Sequence, residues 1–124
     1  MRLLLDTHVL LWVRADAPLP EGFREAISDP ANIKLVSAMS LAEIAVNRAD
    51  GKLDVPDGFA DHVAEIGFDH LAFTERHARV LDTLPLLHRD PFDRMLIAQA
   101  IAEDAAFLTV DSNCLQYNAR FLRR

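Results

Sequence analysis

The chain opens with Leu3-Leu-Leu-Asp-Thr-His8, followed by the apolar stretch Val9 to Val13. Three consecutive leucines are typical of a short strand that is buried on both faces, as in a parallel sheet. Asp6 and Thr7 interrupt the apolar residues, and the stretch behind them is too long to be one more turn. The opening therefore predicts a strand, a turn and a helix.

Short apolar runs and helical segments alternate along the rest of the chain. Further strands are predicted at Ile33 to Val36, at His70 to Phe73 and at Ala106 to Val110. Helix ends are marked by residues that commonly start or stop helices. These are Asp29-Pro30 after Glu21 to Ser28, a Ser40-Leu-Ala-Glu43 capping box with Gly51 as the stop, Pro56-Asp57 and Gly67, Thr74, and Asp90-Pro91.

This alternation predicts the fold class. Continuous apolar strands separated by helices indicate an α/β sandwich, in which helices cover both faces of a parallel sheet of about four or five strands. Met95 to Ala102 is almost wholly apolar, which is typical of a buried helix. No repeat or flexible linker divides the 124 residues, so we expect one domain, residues 1–124.

Composition excludes several classes of protein. With 13 basic and 19 acidic residues the net charge is −6, which argues against coating nucleic acid by bulk electrostatics. Cys114 is the only cysteine, so an internal disulfide or a zinc ribbon is excluded. The apolar runs are much shorter than the ~20 residues of a membrane span, and an acid follows the leading leucines too soon for a signal peptide. We expect a cytoplasmic protein.

Four acidic residues stand where the carboxyl ends of parallel strands form a ligand crevice. They are Asp6, Glu43, Asp93 and Asp111, each at a strand end or in the first turn of the following helix. Each close pair of carboxylates repels by about 4 kcal/mol at 4 Å with an effective dielectric near 20, so we expect a cation between them. Oxygen ligands favour Mg²⁺ or Mn²⁺, which activate water and bind phosphate in phosphodiester hydrolysis.

Each acid also has a structural interpretation. Glu43 fits a capping box, Asp93 fits a charge stabilised by the helix dipole, and Asp90 fits a helix N-cap better than a ligand. Asp6 and Asp111 favour the functional interpretation, because an acid that closes a buried strand lies near the core, where unpaired charge is costly.

The basic residues and the histidines are less informative. Arg89 and Arg94 fit contacts to a phosphate backbone and ion pairs with Asp90 and Asp93 equally well. Three further arginines gather near the C-terminus, at Arg120, Arg123 and Arg124. The five histidines share no metal-ligand spacing, so we expect surface or satisfied polar roles for His8, His62, His70, His77 and His88.

Several segments resemble the PIN-domain ribonuclease toxins of the VapC type. In order along essentially the whole chain they are Leu3-Leu-Leu-Asp-Thr-His8, Ser40-Leu-Ala-Glu-Ile44, Gly51-Lys-Leu53, His88-Arg-Asp-Pro-Phe-Asp-Arg94, Leu96-Ile-Ala-Gln-Ala100 and Leu108-Thr-Val-Asp111. The block from His88 to Arg94 is the most specific of them.

The resemblance implies a PIN-like three-layer α/β/α fold and an endoribonuclease toxin of a type II toxin–antitoxin pair. It implies a catalytic Mg²⁺ or Mn²⁺ site formed by Asp6, Glu43, Asp93 and Asp111, with Asp93 preferred to Asp90 because the third acid of the family opens the buried helix. It also implies an RNA substrate, a homodimer, and a VapB-type antitoxin whose C-terminal segment occupies the groove.

The chain departs from the family at two positions, Ala42 in place of a common Trp and Asn47 in place of a common Lys. The second change removes a basic group near the crevice and bears on RNA affinity. Two other functions stay open. One is a catalytically weak PIN-like module that only binds RNA or antitoxin. The other is an aspartyl-phosphate phosphatase using Asp6, which would need a second acid two residues on, where this chain has His8.

Overall fold

The structure is a computed structural model that describes residues 1–122, so Arg123 and Arg124 of the predicted basic tail lie outside the described residues. Four strands and six helices follow one another in this part of the chain. They are β1 (Arg2–Leu5), α1 (Thr7–Arg14), α2 (Phe23–Ser28), β2 (Ile33–Ser37), α3 (Ala38–Ala49), α4 (Phe59–Glu65), β3 (Asp69–Leu71), α5 (Glu75–Thr83), α6 (Pro91–Ala102) and β4 (Ala106–Leu108). A 3-10 turn follows at Cys114–Gln116.

The strands form one parallel sheet in the order β3-β2-β1-β4. Leu4 of β1 pairs with Leu35 of β2 on one side and with Phe107 of β4 on the other. The predicted α/β class with a parallel sheet is confirmed, with four strands among residues 1–122.

The apolar side chains of β1 alternate between two cores. Leu3 and Leu5 pack into the core that includes residues of α1, α3 and α4, whereas Leu4 packs into the core that includes α6. All three leucines have no exposed surface. The sheet is thus covered on both faces, and α6 is the buried helix that the sequence predicted, with Leu96 to Ala100 buried.

Most predicted helix ends are confirmed, and the capping box at Ser40 is wrong. The helix begins at Ala38, directly after β2, and its N-cap is Ser37, whose side chain accepts a hydrogen bond from the Met39 N–H at 2.9 Å. Because no loop separates β2 from α3, the last residue of the strand, Ser37, is also the cap of the helix. Ser40 lies inside the helix and its Oγ accepts a hydrogen bond from Thr7 Oγ1 at 2.9 Å.

Three other boundaries differ from the prediction. β3 covers Asp69–Leu71 rather than His70 to Phe73, and β4 ends at Leu108 instead of continuing to Val110. α4 begins after Gly58, whose φ of +77° suits glycine, and not at Pro56. Within residues 1–122 no helix has both the length and the apolar character needed to cross a membrane.

Candidate active site

The carboxyl edge of the sheet brings three of the four predicted acids together in buried positions. Asp6 follows β1 and is 2% exposed, Glu43 on α3 is 9% exposed, and Asp93 in the first turn of α6 is 7% exposed. Glu43 lies in the second turn of α3 rather than the first, because the helix begins at Ala38. The sheet order reverses between β1 and β4, which is where α/β sheets open a ligand crevice.

Burial and mutual repulsion both raise the pKa values of these acids. Burial is the main cause that raises the pKa of Asp6, of Glu43 and of Asp93 above the ordinary values. For Asp93 the charge of Asp6 adds to burial, and the pKa rises to about 6. Asp90 and Asp6 likewise raise the pKa of Glu43. In the described part of the chain, neither lysine nor arginine forms an ion pair with any of these acids.

Asp6 and Glu43 each have one oxygen that is left without a partner. Asp6 Oδ2 accepts a hydrogen bond from Thr109 Oγ1 at 2.7 Å, whereas Asp6 Oδ1 is buried with no hydrogen-bond partner among residues 1–122. Glu43 Oε1 is in the same situation. A buried carboxylate oxygen without a donor costs stability unless a ligand satisfies it. These two atoms are therefore suited to a cation.

Asp93 and Asp111 both lie near one histidine. His88 Nε2 lies 2.8 Å from Asp93 Oδ2 and 3.5 Å from Asp111 Oδ2. Asp111 is the most open of the four acids, with 34% of its side chain exposed. No metal-ligand spacing marks His88 in the sequence, so its place in the site was not predicted. The only signal was its position five residues before Asp93, in the most specific block of the chain.

Cys114 lies beside the same group. Ligand atoms of His88, Asp93, Asp111 and Cys114 all lie within 4.8 Å of one another. Burial, followed by the charges of Asp93 and Asp6, raises the pKa of the Cys114 thiol well above its usual range. The thiol is therefore protonated at neutral pH, which makes it a poor nucleophile.

Both the sequence and the fold of the chain are similar to those of known proteins. The family model of the PIN domain matches residues 3–121. The chain belongs to the PIN-domain family. The PIN-like α/β/α fold that the sequence resemblance implied is thus confirmed.

Three solved structures share the fold of this PIN domain at low sequence identity. A chain of the VapBC2 complex from Rickettsia felis, bound to a DNA fragment from their promoter, has a TM-score of 0.75 at 16% identity, covering 99% of this chain and 98% of that one. A chain of DNA-bound VapBC from Salmonella typhimurium has a TM-score of 0.69 at 15% identity, covering 98% and 97%. A chain of VapBC-1 from nontypeable Haemophilus influenzae has a TM-score of 0.68 at 15% identity, covering 98% and 97%. A comparison by sequence with curated proteins finds no match.

Asp90 and the neighbouring arginines of this PIN domain have structural contacts. Asp90 is the N-cap of α6, as predicted, and its Oδ1 accepts from the Phe92 N–H at 2.9 Å. Arg94 donates to the Leu84 carbonyl at 3.1 Å and Arg89 is exposed. Ion pairs with Asp90 or Asp93 were one of two interpretations of these arginines, and neither arginine forms one among the described residues. The four predicted acids therefore have no guanidinium to balance them there.

The donor set at this edge fits a divalent cation that prefers oxygen. Three buried carboxylates repel one another, and two of their oxygens accept no hydrogen bond in the described part of the PIN domain. Mg²⁺ and Mn²⁺ bind such oxygens and would offset the repulsion. The residues present thus fit the metal that the sequence analysis expected.

Proposed function

We propose that this PIN domain is a metal-dependent endoribonuclease, the VapC-type toxin of a type II toxin–antitoxin pair. The observation that carries the proposal is the group of buried carboxylates of Asp6, Glu43 and Asp93. In the described chain this group forms no ion pair with lysine or arginine and has two oxygens without a hydrogen-bond partner. Strongly perturbed acids in a crevice are typical of functional sites, because a fold gains nothing in stability from unbalanced buried charge.

In this proposal Asp6, Glu43, Asp93 and Asp111 hold Mg²⁺ or Mn²⁺. The bound ion would supply an activated water and charge stabilisation for hydrolysis of an RNA phosphodiester. The chain's own residues provide the geometry. Thr109 holds one oxygen of Asp6, while burial keeps bulk water away from the acids. Asp111 is more exposed than the other three acids, so we assign it the side from which RNA approaches.

The proposed protein partners are supported by the similarity of the chain to known proteins. Three similar structures are VapBC complexes, which supports a VapB-type antitoxin as the inhibitor of this chain. The resemblance of the sequence supports a homodimer. The net charge of −6 disfavours RNA binding without metal, so we expect RNA affinity to fall steeply with added salt and to be largely lost in EDTA.

The test is cleavage of total cellular RNA by purified, antitoxin-free protein in Mg²⁺ or in EDTA. Asp6→Asn removes a ligand charge, and Asp61→Asn makes the same change at an exposed aspartate of α4 as a matched control. We expect discrete fragments from the unchanged protein and from Asp61→Asn in Mg²⁺, with none from Asp6→Asn of matched Tm.

Other outcomes would favour the alternatives. Cleavage that persists in EDTA would exclude the metal mechanism. Tight RNA or antitoxin binding without cleavage in either metal would favour a binding module. A phosphoryl group trapped on Asp6 would favour the phosphatase, although the side chain two residues on, His8, is exposed and is no acid.

A further inference from the structure

The loop between α5 and α6, residues 84–90, is fixed to the body of the domain at two places. The hydroxyl of Tyr117, a buried residue, accepts hydrogen bonds from the Leu87 N–H at 3.1 Å and from the His88 N–H at 3.0 Å. The guanidinium of Arg94 donates to the Leu84 carbonyl at 3.1 Å. Backbone groups on both sides of the loop are thereby held, so the position of His88 is set by the fold and not by chance contact.

From this loop the His88 side chain reaches the acidic edge. Its Nε2 lies 2.8 Å from Asp93 Oδ2, which is the distance of a charge-assisted hydrogen bond, and 3.5 Å from Asp111 Oδ2. Only 15% of the His88 side chain is exposed. A carboxylate has no hydrogen to give, so the imidazole is the donor in the contact with Asp93.

The contact repeats the arrangement at Asp6. There Thr109 Oγ1 donates to Oδ2 at 2.7 Å and Oδ1 remains without a partner. At Asp93 the imidazole donates to Oδ2. In both acids a neighbouring side chain uses one oxygen, which fixes the carboxylate rotamer and leaves the other oxygen for a ligand. Hydrogen bonds of this kind commonly orient the carboxylates that bind metals.

We propose that His88 is a positioning residue of the metal site, which orients Asp93 as Thr109 orients Asp6. The inference rests on the proposed function for the identity of the ion, a divalent cation of the Mg²⁺ and Mn²⁺ class. His88 Nε2 also lies 3.5 Å from Asp111 Oδ2, so the imidazole stands between this more exposed acid and the buried Asp93.

A competing role for His88 predicts the opposite change in metal affinity when the side chain is removed. If the imidazole only occupied the space of the cation, its removal would free Asp93 Oδ2 and tighten metal binding. If it orients Asp93, its removal frees the carboxylate to rotate and weakens metal binding. The direction of the change in affinity therefore separates the two roles without any measurement of RNA cleavage.

The experiment measures Mn²⁺ affinity by the electron paramagnetic resonance signal of free Mn²⁺, with the full chain and no RNA. We expect His88→Ala to weaken binding about 10- to 100-fold, the usual cost of losing such a partner. His88→Gln should restore most of the affinity, since its amide N–H reaches the place of Nε2–H. His88→Asn, equally polar but shorter, should not. His62→Ala, at an exposed histidine of α4, should bind like the unchanged chain.

Thermal melting without metal checks that each variant is folded, and the Gln and Asn pair keeps the comparison valid if His88→Ala does not fold. Affinity that is unchanged or tighter in His88→Ala, or a Gln variant no better than the Asn variant, would overturn the positioning role. A failure of the unchanged chain to bind Mn²⁺ would instead overturn the proposed function, and this inference with it.

Discussion

The two ends of α6 carry acids with opposite surroundings. At its N-terminal end Asp93 faces Asp6, Glu43 and Asp90, and its pKa is raised to about 6. At its C-terminal end Glu103 accepts from Arg2 at 2.7 Å, from Arg76, and from His77 at 2.8 Å. These partners, led by the His77 hydrogen bond, lower the pKa of Glu103.

The helix dipole would produce the reverse of both shifts. It favours negative charge at the N-terminus and disfavours it at the C-terminus, by about 0.3–1 kcal/mol. A single unit of pKa change represents about 1.4 kcal/mol, so burial and neighbouring charges outweigh the dipole at both ends. Glu103 therefore belongs to a structural cluster in which acidic and basic groups balance, whereas Asp93 belongs to a cluster of acids that the fold leaves unbalanced.

The largest expected effect is a loss of RNA cleavage when an acid of the unbalanced cluster at the N-terminal end of α6 is replaced. Glu43→Gln keeps the shape of a buried side chain but removes a ligand charge, so we expect cleavage to fall at least about 100-fold, equivalent to about 2.7 kcal/mol of activation free energy. The variant should melt at the same temperature or higher, because a repelling charge is gone. Single-turnover cleavage and thermal melting check both results. Glu65→Gln, at an exposed site of α4, is the matched control. Near-normal cleavage by Glu43→Gln would remove Glu43 from the site.

Metal binding at the unbalanced cluster should stabilise the folded protein by a similar free energy. At a free Mn²⁺ concentration 100 times the Kd, binding to the native state alone adds about 2.7 kcal/mol to the free energy of unfolding. Asp6→Asn should lose most of this gain, while Glu103→Gln should retain it because Glu103 lies at the other end of α6. Melting curves with and without Mn²⁺ measure the difference. An equal gain in both variants would mean that the ion binds elsewhere.

At the balanced end the expected effect is on stability and not on cleavage. Glu103→Gln leaves Arg2, Arg76 and the buried His77 without their common charge partner. The burial of this cluster is intermediate. Exposed ion pairs contribute about 0.2–1 kcal/mol, and breaking a fully buried pair costs about 3–5 kcal/mol, so we expect the free energy of unfolding to fall by about 2 kcal/mol. Chemical denaturation measures it.

Glu75→Gln is the control for this prediction, because its partner Arg79 is as exposed as Glu75 itself. It should change the free energy of unfolding by less than about 0.5 kcal/mol. Cleavage per folded molecule should be normal in both variants. If Glu103→Gln and Glu75→Gln destabilised the protein equally, burial of the Glu103 cluster would contribute nothing to the free energy of unfolding.

The difference between the two ends could be predicted from the sequence only in part. Asp6 and Asp111 were found because each follows a continuous apolar run, and the pairing of β1 with β4 places those strand ends side by side. The Glu103 cluster was not found, since Arg2 and Glu103 are 101 residues apart and no periodicity links them. His77 was expected to be satisfied or on the surface, and the structure shows it buried and hydrogen-bonded.

The part of the site that escaped prediction lies on a loop. His88 is positioned by Tyr117, 29 residues later, through backbone hydrogen bonds that no sequence pattern encodes. Glu43 was placed near the crevice, but by a capping box that does not form, because the cap is Ser37. Strand ends are thus predictable from apolar periodicity, whereas the contacts that orient their acids depend on tertiary structure.

The smallest expected effect is a pH dependence of opposite sign at the two ends. Asp93 has a pKa of about 6 in the folded chain, above its ordinary 3.8, so the native state takes up a proton first as pH falls through 6. The contribution of Asp93 to the stability of the metal-free protein therefore increases as the pH falls from 7 to 5. The pKa of Glu103 is lowered below its ordinary 4.5, so its contribution is present above that pH and is lost only as pH falls further.

Melting of the metal-free protein between pH 7 and pH 5 isolates the Asp93 contribution when the unchanged chain is compared with Asp93→Asn. Contributions from residues far from Asp93 are common to both chains and cancel in the difference. We expect the unchanged chain to gain about 1 kcal/mol, or roughly 3–5 °C in Tm, relative to Asp93→Asn over this interval. Glu103→Gln should follow the unchanged chain there and diverge only below about pH 4.5. Parallel curves for Asp93→Asn and the unchanged chain would mean that Asp93 is not held in an unbalanced environment, and the contrast between the ends of α6 would then rest on Glu103 alone.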